Sequence, residues 1–275
     1  MKLFLLTVVT MSAFAANSIL NRAAVDGSGM SPFDFALLRV WAGALTLAVL
    51  TMRVPAVWRG LITAKALAGG ATLTIYMIGF SAAYLTLDAG VGALILFGVV
   101  QLAMFTITSL RGVPPRALQL IGAGVAFAGL IVLLWPAGGV ALDAVGVAAM
   151  IAAGLGWAVY SILGQGVAAP VVATARNFAV SAVMVAPLAF AFGGGSAQGV
   201  TLAVISGVVT SALGYSLWYR IVPRLGASKA ALAQLSVPVI AVAGGTILFG
   251  EAITPRMIIA GLLVVGGLGI GLIRR

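Results

Sequence analysis

Ten times along the chain, about 17–22 residues pass almost without charge, long enough each time to cross a ~30 Å hydrocarbon core as a helix. These stretches fall near 3–21, 32–52, 66–85, 89–109, 116–135, 144–164, 174–192, 199–219, 228–248 and 256–273. The charged residues gather in the gaps between them. Of the 275 residues 63% are hydrophobic and 7% charged, where soluble domains carry about 25% charged residues. Such a chain cannot cover itself with a water-facing surface, so its solvent is a bilayer. Lipid leaves the backbone only helices or a closed barrel, and the alternation of barrel strands is absent. The expectation is an all-α integral membrane protein forming one polytopic domain.

The first stretch raises a question of its own. MKLFLLTVVTMSAFAANS has a basic start, an apolar run and Ala13-Phe14-Ala15, the pattern of a cleavable secretory signal. Yet the apolar text continues to Leu20, so the segment is read as the first membrane helix. Charge placement agrees. With the N-terminus inside, Lys2, Arg53, Arg59, Lys65, Arg111, Arg116, Arg176, Arg220, Arg224, Lys229, Arg274 and Arg275 fall on the inner side. The outer side receives Arg22 and Arg256, and Arg39 lies within a span. That asymmetry follows the positive-inside rule for ten spans with both termini cytoplasmic. The acids, Asp26, Asp34, Asp88, Asp143 and Glu251, fall at the outer side or its edge. The net charge of +10 is therefore loop charge that orients helices, and no nucleic-acid partner is expected.

The chain also matches itself. Phe14 to Leu20 aligns with Trp157 to Leu163, sharing Ser-Ile-Leu. Pro32 with Arg39 aligns with Pro170 and Arg176. At an offset of 138, the fourth and ninth spans run without a gap, pairing Ala89 with Ala227, Val99 with Val237 and Gly129 with Gly267. The division is 1–137 and 138–275, five spans each. Because five is odd, the second copy is inserted upside down. Two inverted repeats are the architecture of many secondary transporters, with the substrate near the midplane between them.

Neither Cys nor His occurs, which removes disulfides, thiol chemistry and the commonest metal ligand. No catalytic constellation presents itself, and no enzyme, metal or cofactor is expected. Aromatic stripes are the clearest candidates for a binding surface, since residues three or four apart share a helix face. They are Tyr76, Phe80 and Tyr84; Trp157 and Tyr160; Tyr215, Trp218 and Tyr219; and Phe14 one turn before Asn17. Tyr84, Tyr219, Trp41, Trp58 and Trp135 lie near span ends and are read as an interfacial belt. The deeper set of Phe14, Tyr76, Phe80, Trp157, Tyr160, Tyr215 and Trp218 could line a cavity or simply pack. Mid-span Asn17, Gln101 and Gln234 need polar partners, from another helix or from substrate. Arg39 stands roughly 10 Å along its helix from the outer end. Either it bonds backbone carbonyls or Asp34 and ties helices together, or its guanidinium meets a substrate carboxylate. Arg176 in the repeat-equivalent place favours the structural reading. Glu251 is a solvated first-turn acid or a gating residue.

Gly250-Glu251-Ala252-Ile253-Thr254-Pro255, the Gly-rich last helix through Gly261, Gly266 and Gly267, Leu225-Gly226-Ala227-Ser228 leading to Pro238, and Trp157-Ala158-Val159-Tyr160 together resemble the EamA family of the drug/metabolite transporter superfamily. Within it, the chain looks most like the aromatic amino-acid and metabolite exporters of the YddG type. The resemblance implies ten helices in two inverted halves, export of small metabolites or amino acids across a bacterial inner membrane by alternating access, and a monomer or homodimer. The first repeat departs from the pattern, with Val100 where Pro238 stands in the second. A flippase or multidrug-type exporter for lipids or other amphiphiles is the alternative. Thr254 and Pro255 suit the N-cap and first turn of the last helix, and Pro114-Pro115 the start of the fifth.

Overall fold

The computed structural model describes residues 1–25, 27–87, 89–136, 142–249 and 253–273. Glu251, with Asp26, Asp88, Arg274 and Arg275, lies outside the described residues. Among the described residues, ten helices are long and apolar enough to span a membrane. They are α1 (Lys2–Val25), α2 (Pro32–Thr51), α3 (Ala64–Ala83), α4 (Ala89–Leu110), α5 (Ala117–Leu134), α6 (Ala144–Leu163), α7 (Pro170–Val185, continued by a 3-10 segment Ala186–Ala191), α8 (Ala197–Leu225), α9 (Ala227–Gln234 and Val237–Phe249) and α10 (Pro255–Leu272). No strand occurs among the described residues.

Local chemistry sets the helix ends. Pro32, Pro170 and Pro255 each open a helix, where the missing N–H costs nothing. Thr254 Oγ1 accepts the Met257 N–H at 3.3 Å. The fifth helix begins after its prolines rather than at them: Arg116 is the N-cap, and its N–H donates to Gln119 Oε1 at 2.9 Å. Leu225-Gly226-Ala227-Ser228 proves to be a tight turn, with Gly226 at φ 75° joining α8 to α9. Only glycine takes that conformation cheaply. Within the spans, hydroxyls return to the preceding turn, as Thr10 to Leu6 O (2.7 Å) and Thr51 to Leu47 O (2.6 Å). This satisfies a polar group that lipid cannot.

The principal helix pairs are α5 with α10, α3 with α6 and α7, α4 with α6, α1 with α8 and α9, α2 with α7 and α8, and α4 with α9. This set maps onto itself when each helix is exchanged for the one five places along. Helices α5 and α10 cross antiparallel on bare backbone. A Cβ at Gly267 would lie 2.5 Å from the Gly122 carbonyl oxygen, and one at Gly129 would lie 3.0 Å from that of Ala260. Leu45, Leu102, Ile247 and Leu262 point outward from the bundle. Trp41, Trp58 and Trp135 are about half exposed; Trp58 and Trp135 lie beside span ends, while Trp41 stands at the middle of α2 and not at its end.

Two span-end aromatics do not belong to the interfacial belt. Tyr219 is 1% exposed, because α8 runs on to Leu225 and carries the residue through the core. Tyr84 lies at the end of α3 with its ring 4.7 Å from Phe80, continuing the stripe inward. Helix α1 is packed into the bundle along α8 and α9, and Met11 and Ala15 are buried.

Candidate functional site

One face of α1, the length of α3 from Tyr76 to its end, the first half of α4, and the middles of α6, α8 and α9 surround a cavity of about 60 Å³. Its wall is Phe14, Asn17, Ser18, Tyr76, Phe80, Tyr84, Ala93, Leu96, Phe97, Trp157, Tyr215, Gln234 and Val237. Trp157 is the hub: its ring lies 5.4 Å from Phe14 edge-on, 4.9 Å from Tyr76, 4.9 Å from Tyr215, and 5.4 Å from Tyr160 in a stack. Such ring pairs contribute about 0.5–1.5 kcal/mol each beyond area burial, so the wall is held in one arrangement. Trp157 Nε1 donates to Gln234 Oε1. Gln234 Nε2 in turn donates to Ala230 O at 3.3 Å and reaches Met104 Sδ at 3.6 Å.

The cavity has a closed and an open end. Trp157, Tyr215 and Gln234 form the buried end, while Ser18, Tyr84, Ala93 and Phe97 are more exposed and lie toward the α3–α4 connection. Beyond the buried end stands a second aromatic layer. Trp218 Nε1 donates to Ser161 Oγ at 3.0 Å, Tyr219 Oη donates to Tyr160 O at 2.9 Å, and Asn177 Nδ2 donates to Tyr219 Oη at 3.1 Å. The structure therefore brings Phe14, Asn17, Tyr76, Phe80, Trp157, Tyr215 and Gln234 to one cavity. It puts Tyr160 and Trp218 behind the wall as its support. Gln101 lies apart on α4, and both its side-chain polar atoms are buried without a hydrogen-bond partner among the described residues.

Arg39 takes neither of the partners the sequence suggested for a structural role. It is 2% exposed, its Nε donates to Ser211 Oγ at 2.7 Å, and its Nη2 donates to Tyr215 Oη. The guanidinium carbon lies 6.0 Å from the Tyr76 ring centre and 5.9 Å from that of Tyr215. Asp34 is engaged elsewhere, accepting the Gly193 N–H at 3.2 Å. Counted from the prolines that open their helices, Arg39 in α2 stands level with Asn177 in α7 rather than with Arg176. Arg176 is half-buried and donates to Val57 O at 3.3 Å.

The eighth helix supplies what the sequence reading missed. Its segment Ser206–Leu213 is wound as a π-helix, a rare form found frequently at functional sites. The looser winding turns Ser206, Thr210 and Ser211 inward. Ser206 and Thr210 both donate to Asn17 Oδ1, the latter at 3.1 Å. Gly207 permits the approach of α2, since a Cβ there would lie 2.8 Å from the Ala42 Cβ. A clue existed in the close spacing of three hydroxyl residues mid-span. Ser18, Tyr84, Ala93, Leu96, Phe97 and Val237 also line the cavity. Of these, Tyr84 and the i, i+4 pair Ala93 and Phe97 had a readable spacing.

Outside the membrane, Asp143 caps α6, accepting the Gly146 N–H at 2.7 Å and the Thr86 hydroxyl at 3.0 Å. These bonds, the backbone one foremost, hold its carboxyl below the usual carboxylate range. Among the described residues no group of three or more acids could hold a metal ion.

Three comparisons bear on this architecture. Residues 144–272 match the model of the EamA-like transporter family. An uncharacterized protein of Pseudomonas aeruginosa is 41% identical over 276 residues, covering 97% of this chain and 93% of that protein. One protein crystal structure shares the fold with a TM-score of 0.81 at 18% identity, over 98% of this chain and 97% of the other.

Proposed function

From the match of residues 144–272 to the EamA-like transporter family we propose that the chain is a membrane transporter of small molecules that exports small metabolites, most of all aromatic or other neutral amino acids, from a bacterial cytoplasm. The observation that carries the substrate class is the cavity wall: seven aromatic rings with Asn17 and Gln234 set among them. Such a wall suits a solute with a ring or an apolar side chain and a small polar end. The relationship to YddG-type exporters is part of this reading.

The mechanism is alternating access between two inverted halves, 1–137 and 138–275. The helix pairing is unchanged on exchanging the halves, which supports the repeat, and α5 and α10, which begin at the repeat-equivalent positions Ala117 and Pro255, run antiparallel, which supports the inversion. With both termini cytoplasmic, the open end of the cavity faces outward, and the layer of Tyr160, Trp218 and Tyr219 closes it from the inside. Rocking of the halves would open that layer in turn.

None of the described residues lining the cavity is acidic, and facilitated export down a gradient is the expected mode. Uptake of a panel of labelled amino acids into proteoliposomes, with and without a pH gradient, tests this. Uptake of aromatic amino acids at a rate indifferent to the gradient is expected. Failure of every amino acid would overturn the substrate class, and uptake of labelled lipid instead would favour the flippase alternative.

A further inference from the structure

Arg39 is a buried cation among neutral partners. Among the described residues its hydrogen bonds go to two hydroxyls, and it forms no ion pair. A guanidinium in a membrane interior is costly and ordinarily finds an anion. Here the groups around it lead to the cavity. Tyr215 accepts a hydrogen bond from Arg39, and a phenol that accepts through its oxygen still has its own proton to give. Tyr215 and Tyr76, the two rings nearest the guanidinium, are both cavity wall.

Asn17 repeats the pattern independently. Its Oδ1 takes the protons of both Ser206 and Thr210, which leaves the Nδ2 amide hydrogens as its remaining function. Gln234 Oε1 is likewise occupied by the Trp157 indole. Thus the Asn17 amide nitrogen can only donate, the Tyr215 hydroxyl donates with a positive charge behind it, the Ser18 and Tyr76 hydroxyls can give or take, and no described wall residue is an acid.

We propose that the cavity selects for a carboxylate: the Tyr215 hydroxyl and Asn17 amide donate to it, Arg39 supplies the compensating charge from behind Tyr215, and the aromatic wall takes the rest of the solute. Arg39 is a positioning residue in this arrangement and need not touch the ligand. The inference rests on the small-metabolite reading above and narrows it, since an amine or amide of the same shape would meet no complementary charge. An amino acid is bound through its acid end.

The test is binding to the purified, detergent-solubilised protein, read by indole fluorescence and thermal shift, with 3-phenylpropionate, 3-phenylpropionamide, phenethylamine and L-phenylalanine. Both carboxylates should bind about tenfold or more tightly than the amide and the amine. Arg39→Gln should erase that preference and not merely weaken all four, and Arg39→Lys should keep part of it. If Arg39→Gln fails to fold, Tyr215→Phe carries the test, with the same loss of preference expected. Equal binding of acid, amide and amine, or a preference that survives in these variants, would overturn the carboxylate site while leaving the transporter reading in place. Binding of none of the four, together with failed amino-acid uptake, would overturn both.

Discussion

At the residue scale, the cavity's character comes from a few side chains whose spacing was visible in the sequence. Tyr76, Phe80 and Tyr84 recur every fourth residue, and Phe14 and Asn17 sit one turn apart. What the sequence could not convey was which rings face a void and which fill the space behind it. Trp157 and Tyr160 share one face of a helix, yet Trp157 is wall and Tyr160 is support. That distinction depends on helix rotation, which composition leaves open. Arg39 is a case of the same limit, because its partners are 172 and 176 residues away in the chain. Outside the bilayer, Asp143 gives a pH prediction. Its carboxyl is held low by bonds made only in the fold. The stability this contributes is fully present above the ordinary carboxylate range and is lost as pH falls through its own lower value. Asp143→Asn should therefore melt below the parent protein at pH 7, with the gap closing under acid conditions. Thermal unfolding in detergent from pH 3 to pH 7 checks this, and a gap independent of pH would remove the charge from the account.

At the element scale, helix number and most boundaries were legible, because lipid forces apolar length and proline and threonine mark the starts. The exception is α8, where Tyr219 and Arg220 extend the helix beyond the apolar window to Leu225. Its π-wound segment was not readable either, since the extra residue per turn leaves no compositional mark. Glycine in α5 and α10 is more informative by position than by number. A Cβ at Gly122 would meet the Gly267 carbonyl oxygen and lie 2.7 Å from the Gly271 nitrogen, whereas one at Gly124 would meet nothing within 4 Å. Overpacking against backbone costs about 1–3 kcal/mol. Gly122→Leu should lower the melting temperature in detergent clearly, and Gly124→Leu, on the lipid side of the same helix, should leave it near the parent value. Equal effects would mean that α5 and α10 do not pack on this face.

At the scale of the whole molecule, two halves meet around a site that neither can form alone. Asn17 on α1 is held by Ser206 and Thr210 on α8, and Arg39 on α2 by Ser211 and Tyr215 on the same helix. On the proposed mechanism binding and movement would be coupled, because a ligand touching Tyr215 and Asn17 would bear on contacts between the halves. Since the chain has no cysteine, access can be followed with a single introduced thiol. Ala93→Cys, at the open end of the cavity, should react with a membrane-impermeant thiol reagent added from outside, and saturating substrate should slow the reaction. Labelling only from the cytoplasmic side would reverse the proposed orientation. The most direct measurement is counterflow of labelled L-phenylalanine into proteoliposomes preloaded with the unlabelled amino acid. The account predicts transient accumulation above equilibrium by the parent protein, and about tenfold or greater loss in a folded Trp157→Ala variant, as expected when a transport-site contact of about 1.4 kcal/mol or more is removed. Absence of counterflow with every aromatic and neutral amino acid, or undiminished counterflow in Trp157→Ala, would contradict it.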